Sequence, residues 1–186
     1  MRSWCWTWRR WFAFACIVFV AWSISMTPAR ANLTDDRYDG NIFALYAGNG
    51  AIVPARVTLA QSFELGRPTM LVLYLDDSSD CKRYAVTVSK LHDNYSRRTS
   101  FVPVNIDSLP IETRFDRTEP GYYFDGFVPK TVVFDGSGNV RFEGKGQIPF
   151  ETLDDVFRDI FEFPPRPESS QLKLQPLNEV TPELAN

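Results

Sequence analysis

Gly66-Arg67-Pro68-Thr69-Met70-Leu71-Val72-Leu73-Tyr74-Leu75-Asp76-Asp77-Ser78-Ser79-Asp80-Cys81-Lys82 is the most informative stretch of this 186-residue chain. Its run from Met70 to Leu75 is apolar without interruption, the pattern of a central strand covered on both faces. Ser78, Ser79 and Asp80 then supply the short polar side chains that start helices. In residues 81–95, Tyr84, Ala85, Val88, Leu91 and Tyr95 recur at helical spacing on one face, with lysine and arginine elsewhere. A buried strand therefore runs through a polar turn into an amphipathic helix.

Working outward, residues 57–65 read as a short helix that Gly66-Arg67-Pro68 ends, and residues 42–47 read as a strand stopped by Gly48-Asn49-Gly50. Residues 101–106 predict a second buried strand, followed by a short helical candidate at 110–115. Residues 130–134 and 140–143 flank Asp135-Gly136-Ser137-Gly138-Asn139 and predict an antiparallel hairpin. After Pro149, the residues Phe150, Leu153, Val156, Phe157, Ile160 and Phe161 line one face of a closing helix, which Pro164-Pro165-Arg166-Pro167 ends. Alternation of strands and helices predicts an α/β fold, a mixed central sheet with helices on both faces. The expected organisation is a leader at 1–31, an extension with a strand at 32–56, a folded domain at 57–163 and a proline-rich polar tail at 164–186.

Composition separates the leader from the rest. All five tryptophans and two of the three cysteines, Cys5 and Cys16, lie in the first 22 residues. Arg2, Arg9 and Arg10 precede an uncharged run at 11–24, and Ala29-Arg30-Ala31 places small residues where a signal peptidase reads them, so cleavage is expected before Asn32. At about 1.5 Å per residue, those 14 residues span roughly 21 Å, short of a bilayer core of about 30 Å. The rival reading is an uncut anchor that keeps residues 11–24 in the membrane, with tryptophans at the interface. Arg9-Arg10-Trp11-Phe12 also resembles a twin-arginine export signal.

Removing residues 1–31 takes away four arginines and no acids, which leaves 16 basic and 23 acidic side chains, one histidine (His92) and one cysteine (Cys81). A mildly acidic chain without a basic cluster argues against nucleic acid as a partner. A lone histidine and a lone cysteine do not make a zinc site, and no disulfide can form within the exported chain. No metal and no cofactor are expected.

The quoted stretch resembles the thioredoxin segment in which a buried strand runs into a Trp-Cys-Gly-Pro-Cys-Lys site. Val104-Asn105-Ile106-Asp107, the Val128-Pro129 pair and the closing helix follow in the family's order, so the resemblance covers residues 57–163 and implies a three-layer α/β/α sandwich. Within that family, the Asp76-Asp77-Ser78-Ser79-Asp80-Cys81-Lys82 signature and the tryptophan-rich leader resemble the cyanobacterial thylakoid-membrane factors needed for photosystem I accumulation. That resemblance implies an assembly role at the thylakoid membrane or in the lumen, with photosystem I subunits or assembly intermediates as partners. The periplasm is the alternative compartment.

The departures from the family pattern decide the chemistry. In thioredoxins the first cysteine attacks a substrate disulfide and the second resolves the mixed intermediate. Here Ser78 stands in the attacking place and Cys81 in the resolving place, with Ser79 and Asp80 between them. A serine hydroxyl is not ionised near neutral pH and does not exchange with sulfur, so the dithiol cycle is closed. Asp77 replaces the preceding tryptophan and Val72 replaces the buried acid. Around Cys81 two influences oppose: Asp76, Asp77 and Asp80 disfavour a thiolate, while a helix N-terminus favours one. Cys81 is read as a packing residue, with a monothiol role as the alternative.

The resemblance also implies that Pro129 is cis and that the backbone at Val128 pairs with an extended client. The preceding loop, at 118–127, is longer than its thioredoxin counterpart and carries Tyr122, Tyr123, Phe124 and Phe127, which either contact an apolar client segment or cover the local core. The acidic pairs Asp35-Asp36, Asp76-Asp77 and Asp154-Asp155 read as solvated charges. Three functions remain open: a redox-degenerate assembly factor acting through protein contacts, a monothiol oxidoreductase using Cys81, and a chaperone-like binder of the periplasm.

Overall fold

The computed structural model describes residues 11, 16, 32–112 and 114–165. The leader, apart from Trp11 and Cys16, and the tail from residue 166 onward lie outside the described residues, so the expectations of cleavage, anchorage and an extended tail are not addressed by it. Within residues 32–165, eight regular elements follow in order: α1 (Ile42–Leu45), α2 (Leu59–Glu64), β1 (Thr69–Tyr74), α3 (Ser79–Tyr95), β2 (Ser100–Asn105), β3 (Lys130–Phe134), β4 (Val140–Lys145) and α4 (Phe150–Ile160). Single 3-10 turns form at Ile106–Ser108 and Pro120–Tyr123.

The four strands make one mixed sheet in the order β2-β1-β3-β4. β1 runs parallel to β2, with Thr69 opposite Ser100 and Tyr74 opposite Asn105, and antiparallel to β3, with Leu73 opposite Lys130. All six residues of β1 are buried, as its unbroken apolar run predicts. Pro103 is accommodated in β2 because that strand forms an edge, where a missing N–H leaves no central ladder unpaired. The β3–β4 turn closes on Asp135: its carboxylate accepts the N–H groups of Ser137 and Asn139, and Gly138 takes a φ of +77° that a side chain would strain.

Successive strand residues point to opposite faces, and the sheet builds a different core on each. Met70, Val72 and Tyr74 pack with Ile42 and Phe43 of α1, Tyr84, Ala85, Val88 and Leu91 of α3, and Leu153 and Phe157 of α4. Leu71, Leu73, Val132 and Phe134 pack with Leu59 of α2 and with Tyr123. Helices therefore cover both faces, heavily on the first and by one short helix and a 3-10 turn on the second.

Two predicted elements are corrected. Residues 42–47, read as a strand, begin with α1: the Asn41 side chain accepts from the N–H groups of Phe43 and Ala44, and Asp76 accepts from the N–H of Ile42. Ile42 and Phe43 are both buried while Ala44 and Leu45 are exposed, a helical burial pattern and not a strand's alternation. The helical candidate at 110–115 is not a helix; the local turns form on either side of it, at 106–108 and 120–123.

Candidate functional site

The site lies where β1 delivers the chain to α3. Ser78 is the N-cap, and its hydroxyl accepts the N–H of Cys81 at 3.4 Å. The Ser78 hydroxyl oxygen is thus used to cap the helix. Cys81 is 1% exposed, and its Sγ accepts the Leu75 N–H at 3.5 Å. Burial pushes its thiol above the ordinary range, and the charges of Asp80 and Asp76 add to that; the Leu75 N–H and the Ser78 hydroxyl oppose without reversing it. The competition left open by the sequence tips toward the thiol and away from the thiolate.

Asp80 turns to solvent and is held by Arg83 at 2.7 Å and by Gln147 at 3.0 Å. Asp76 bridges three elements: one carboxylate oxygen accepts from the Ile42 N–H and the Asn41 side chain, the other from Asn105 at 2.9 Å. Burial, with the Asp76 charge beside it, pushes the Tyr74 hydroxyl up to about 12.

Lys82, the residue after Cys81, is fully buried. Its ammonium donates to the Asp35 carbonyl (3.0 Å) and carboxylate (3.2 Å), the Arg37 carbonyl (2.6 Å) and the Asp39 carboxylate (3.0 Å). It also lies 5.4 Å from the centre of the Tyr46 ring, whose hydroxyl donates to Asp39. Burial would lower its pKa, but bonds to Asp39 and Asp35 outweigh that and hold it above the ordinary lysine value. Asp36 accepts the Ser79 N–H at 2.8 Å, which lowers its own pKa. Residues 33–39 therefore form a strap across the start of α3. Sequence reading missed it; the available signal was three acids within five residues, 35–39, in a segment otherwise free of apolar periodicity.

The acidic pairs read as solvated are corrected in part. Asp35 and Asp36 hold the strap, Asp76 bridges elements, and Asp154 is 5% exposed, accepting from the Tyr95 hydroxyl at 2.5 Å and from Arg158 at 2.7 Å. Asp77 and Asp155 remain on the surface or at its edge.

The Val128–Pro129 peptide is cis, as is Val53–Pro54, which the sequence did not reveal. Pro129 is buried, and Val128 is half-buried against the same core cluster as Cys81. The four loop aromatics divide. Tyr123 is 9% exposed, packs edge-on to Phe134 in the core of the other sheet face and donates to the Arg117 carbonyl. Tyr122, Phe124 and Phe127 are exposed. Lys145 lies 4.4 Å from the Phe127 ring centre and pairs with Asp125, which also binds the buried Lys130 beside Glu143. An open groove of about 680 Å³ runs along this side, lined among others by Phe63, Arg117, Tyr122 and Lys130.

Residues 56–161 match the family model of the thioredoxin-like domain. The chain belongs to the thioredoxin-like family. It is also 49% identical over 180 residues to the thylakoid membrane protein slr1796 of Synechocystis sp. (strain ATCC 27184 / PCC 6803 / Kazusa), covering 94% of this chain and 90% of that protein. A second relative from the same organism is the thiol:disulfide interchange protein TxlA homolog, 30% identical over 101 residues, or 53% of this chain and 52% of that one. Among the described residues, no helix is long and apolar enough to cross a membrane. Within this thioredoxin-like chain, the start of α3 is capped by Ser78, holds a buried Cys81 and is crossed by the strap.

Proposed function

We propose that this protein is a redox-degenerate thioredoxin-like factor that supports photosystem I accumulation at the thylakoid membrane by holding another polypeptide and not by exchanging disulfides. The observation that carries the proposal is the use of Ser78 as a helix cap beside a Cys81 that is buried and whose thiol burial pushes above its ordinary range. Without an attacking thiolate, the first step of dithiol exchange has no nucleophile. The thylakoid placement is supported by the 49% identity to a thylakoid membrane protein. Photosystem I as the beneficiary is supported by the resemblance of residues 76–82 and the leader to accumulation factors, and its subunits or assembly intermediates are the proposed partners.

The test is deletion of the gene, with photosystem I content measured separately from other membrane complexes. A selective fall in photosystem I, restored by a Cys81→Ser chain, is the expected result. Unchanged photosystem I removes the named role. Failure of Cys81→Ser to restore a folded protein's function favours the second reading, a monothiol oxidoreductase, for which the likeness to a thiol:disulfide interchange protein homolog is the specific support.

A further inference from the structure

The strap treats the start of α3 as a peptide would. The carbonyls of Leu33, Asp35 and Arg37, at alternate positions, accept from Arg83 and Lys82, and the carboxylates of Asp35, Asp36 and Asp39 accept from Lys82 and the Ser79 N–H. Main-chain oxygens set the alignment and acidic side chains supply the charge. Lys82 is the reason for the acidity: a lysine with no exposed surface requires carboxylates or carbonyls around its ammonium. Residues 33, 34 and 36–38 are themselves exposed, so the strap lies on the domain surface and is not woven into a core.

We propose that residues 33–39 are a built-in occupant of the degenerate site, and that the external partner recognised there is an acidic peptide segment of another protein that takes over the same contacts. This rests on the reading of the protein as a polypeptide-holding factor and specifies what is held. Exchange of one acidic segment for another keeps Lys82 paired throughout, so the strap sets a threshold that apolar or basic peptides do not pass. The strap's own composition, Leu33-Thr34-Asp35-Asp36-Arg37-Tyr38-Asp39, describes the minimal ligand.

The experiment offers a fluorescein-labelled peptide of residues 32–40 in trans to the full-length chain and reads fluorescence polarisation. The wild-type chain, self-occupied, binds it weakly. The D35N/D36N/D39N chain, with its own strap weakened, binds at least tenfold tighter, and the gain is lost when the peptide carries Asn at its three Asp positions or when the salt concentration is raised. Equal binding of the Asp and Asn peptides, or no gain over wild type in a chain that retains its circular dichroism, overturns the proposal. Should the triple variant not fold, Asp36→Asn alone carries the test, because that side chain is exposed; its affinity for the peptide must exceed wild type, and equality refutes the idea. Photosystem I content in a deletion strain is a separate readout, so failure here leaves the proposed function standing and failure there does not affect the peptide measurement.

Discussion

Replacing Lys82 with Met isolates the strap energetically. Methionine has similar length and fills the channel without a cavity, so the change removes the charge and its donors while keeping most of the packing. Four oxygens within 3.2 Å lose the ammonium, among them the carboxylate of Asp39, which keeps the Tyr46 hydroxyl but not its countercharge and whose side chain is 13% exposed, while that of Asp35 is 40% exposed. Leaving a carboxylate buried without its partner costs about 3–5 kcal/mol. Undocking the strap avoids that cost by hydrating Asp35 and Asp39, at the loss of its bonds to the ammonium, which share one charged group, do not add, and together are worth about 1.5–3 kcal/mol. The cheaper route wins, so the expected global loss is about 2–3 kcal/mol, lowering Tm by roughly 6–12 °C for a domain of this size. Hydrogen exchange read by mass spectrometry shows where the loss falls: residues 33–41 lose protection, and β1 and β3 keep theirs. A strap that stays protected in Lys82→Met, or a Tm within 2 °C of wild type, refutes the reasoning.

Alkylation of Cys81 in the native chain, followed by peptide mass mapping, proceeds at least tenfold slower than that of the unfolded chain, because the thiol is buried and its pKa raised; equal rates contradict the inert reading. Thermal stability falls with acid in two stages. His92, whose pKa burial lowers from 6.5, takes up its proton more readily in the unfolded chain, so stability declines as pH drops below 6.5, and His92→Gln removes that stage. Asp36, Asp125 and Asp135 have lowered pKa values, so their contributions are complete above the ordinary 3.8 and are lost as pH falls through their folded values, giving a steeper second stage in a Tm-against-pH series. Tyr95→Phe removes the hydroxyl that donates to buried Asp154 and costs about 1–3 kcal/mol in denaturant unfolding. Phe127→Ser changes stability by less than about 0.5 kcal/mol, since the ring is exposed, yet reduces crosslinking to native membrane partners; unchanged crosslinking removes Phe127 from the contact surface.

The sheet was legible because its strands announce themselves by composition: β1 is continuously apolar, the β3–β4 hairpin is marked by Asp135-Gly136-Ser137-Gly138-Asn139, and α3 and α4 repeat at helical spacing. The misread segment, 42–47, is apolar too, but its state is set by two side chains that cap it, one of them Asp76 from a distant part of the sequence. Local propensity has no access to such a partner. The serine at position 78 was equally legible, and with it the expectation that no dithiol cycle operates. What covers the site was not: the burial of Lys82 and the role of Asp35, Asp36 and Asp39 arise from a contact spanning more than forty residues, and pairs of acids in an acidic chain ordinarily face water. The same reason hid the split of the aromatic loop, in which neighbours Tyr122 and Tyr123 differ only in which side of the backbone meets the sheet.

The start of α3 retains the physics on which redox chemistry would draw and applies it to another ligand. A helix N-terminus offers unpaired N–H groups and a partial positive charge, which lower the pKa of a thiol placed there. In this chain the Cys81 N–H is spent on the Ser78 hydroxyl, the Ser79 N–H on the carboxylate of Asp36, and the following lysine on Asp35 and Asp39. The positive end of the helix therefore stabilises carboxylates that belong to the polypeptide itself. With Ser78 as the cap and Cys81 buried, the terminus still seeks anions, and an acidic strap satisfies it. The acidic segment proposed as the external partner draws on the same N–H groups and the same ammonium that the strap now occupies.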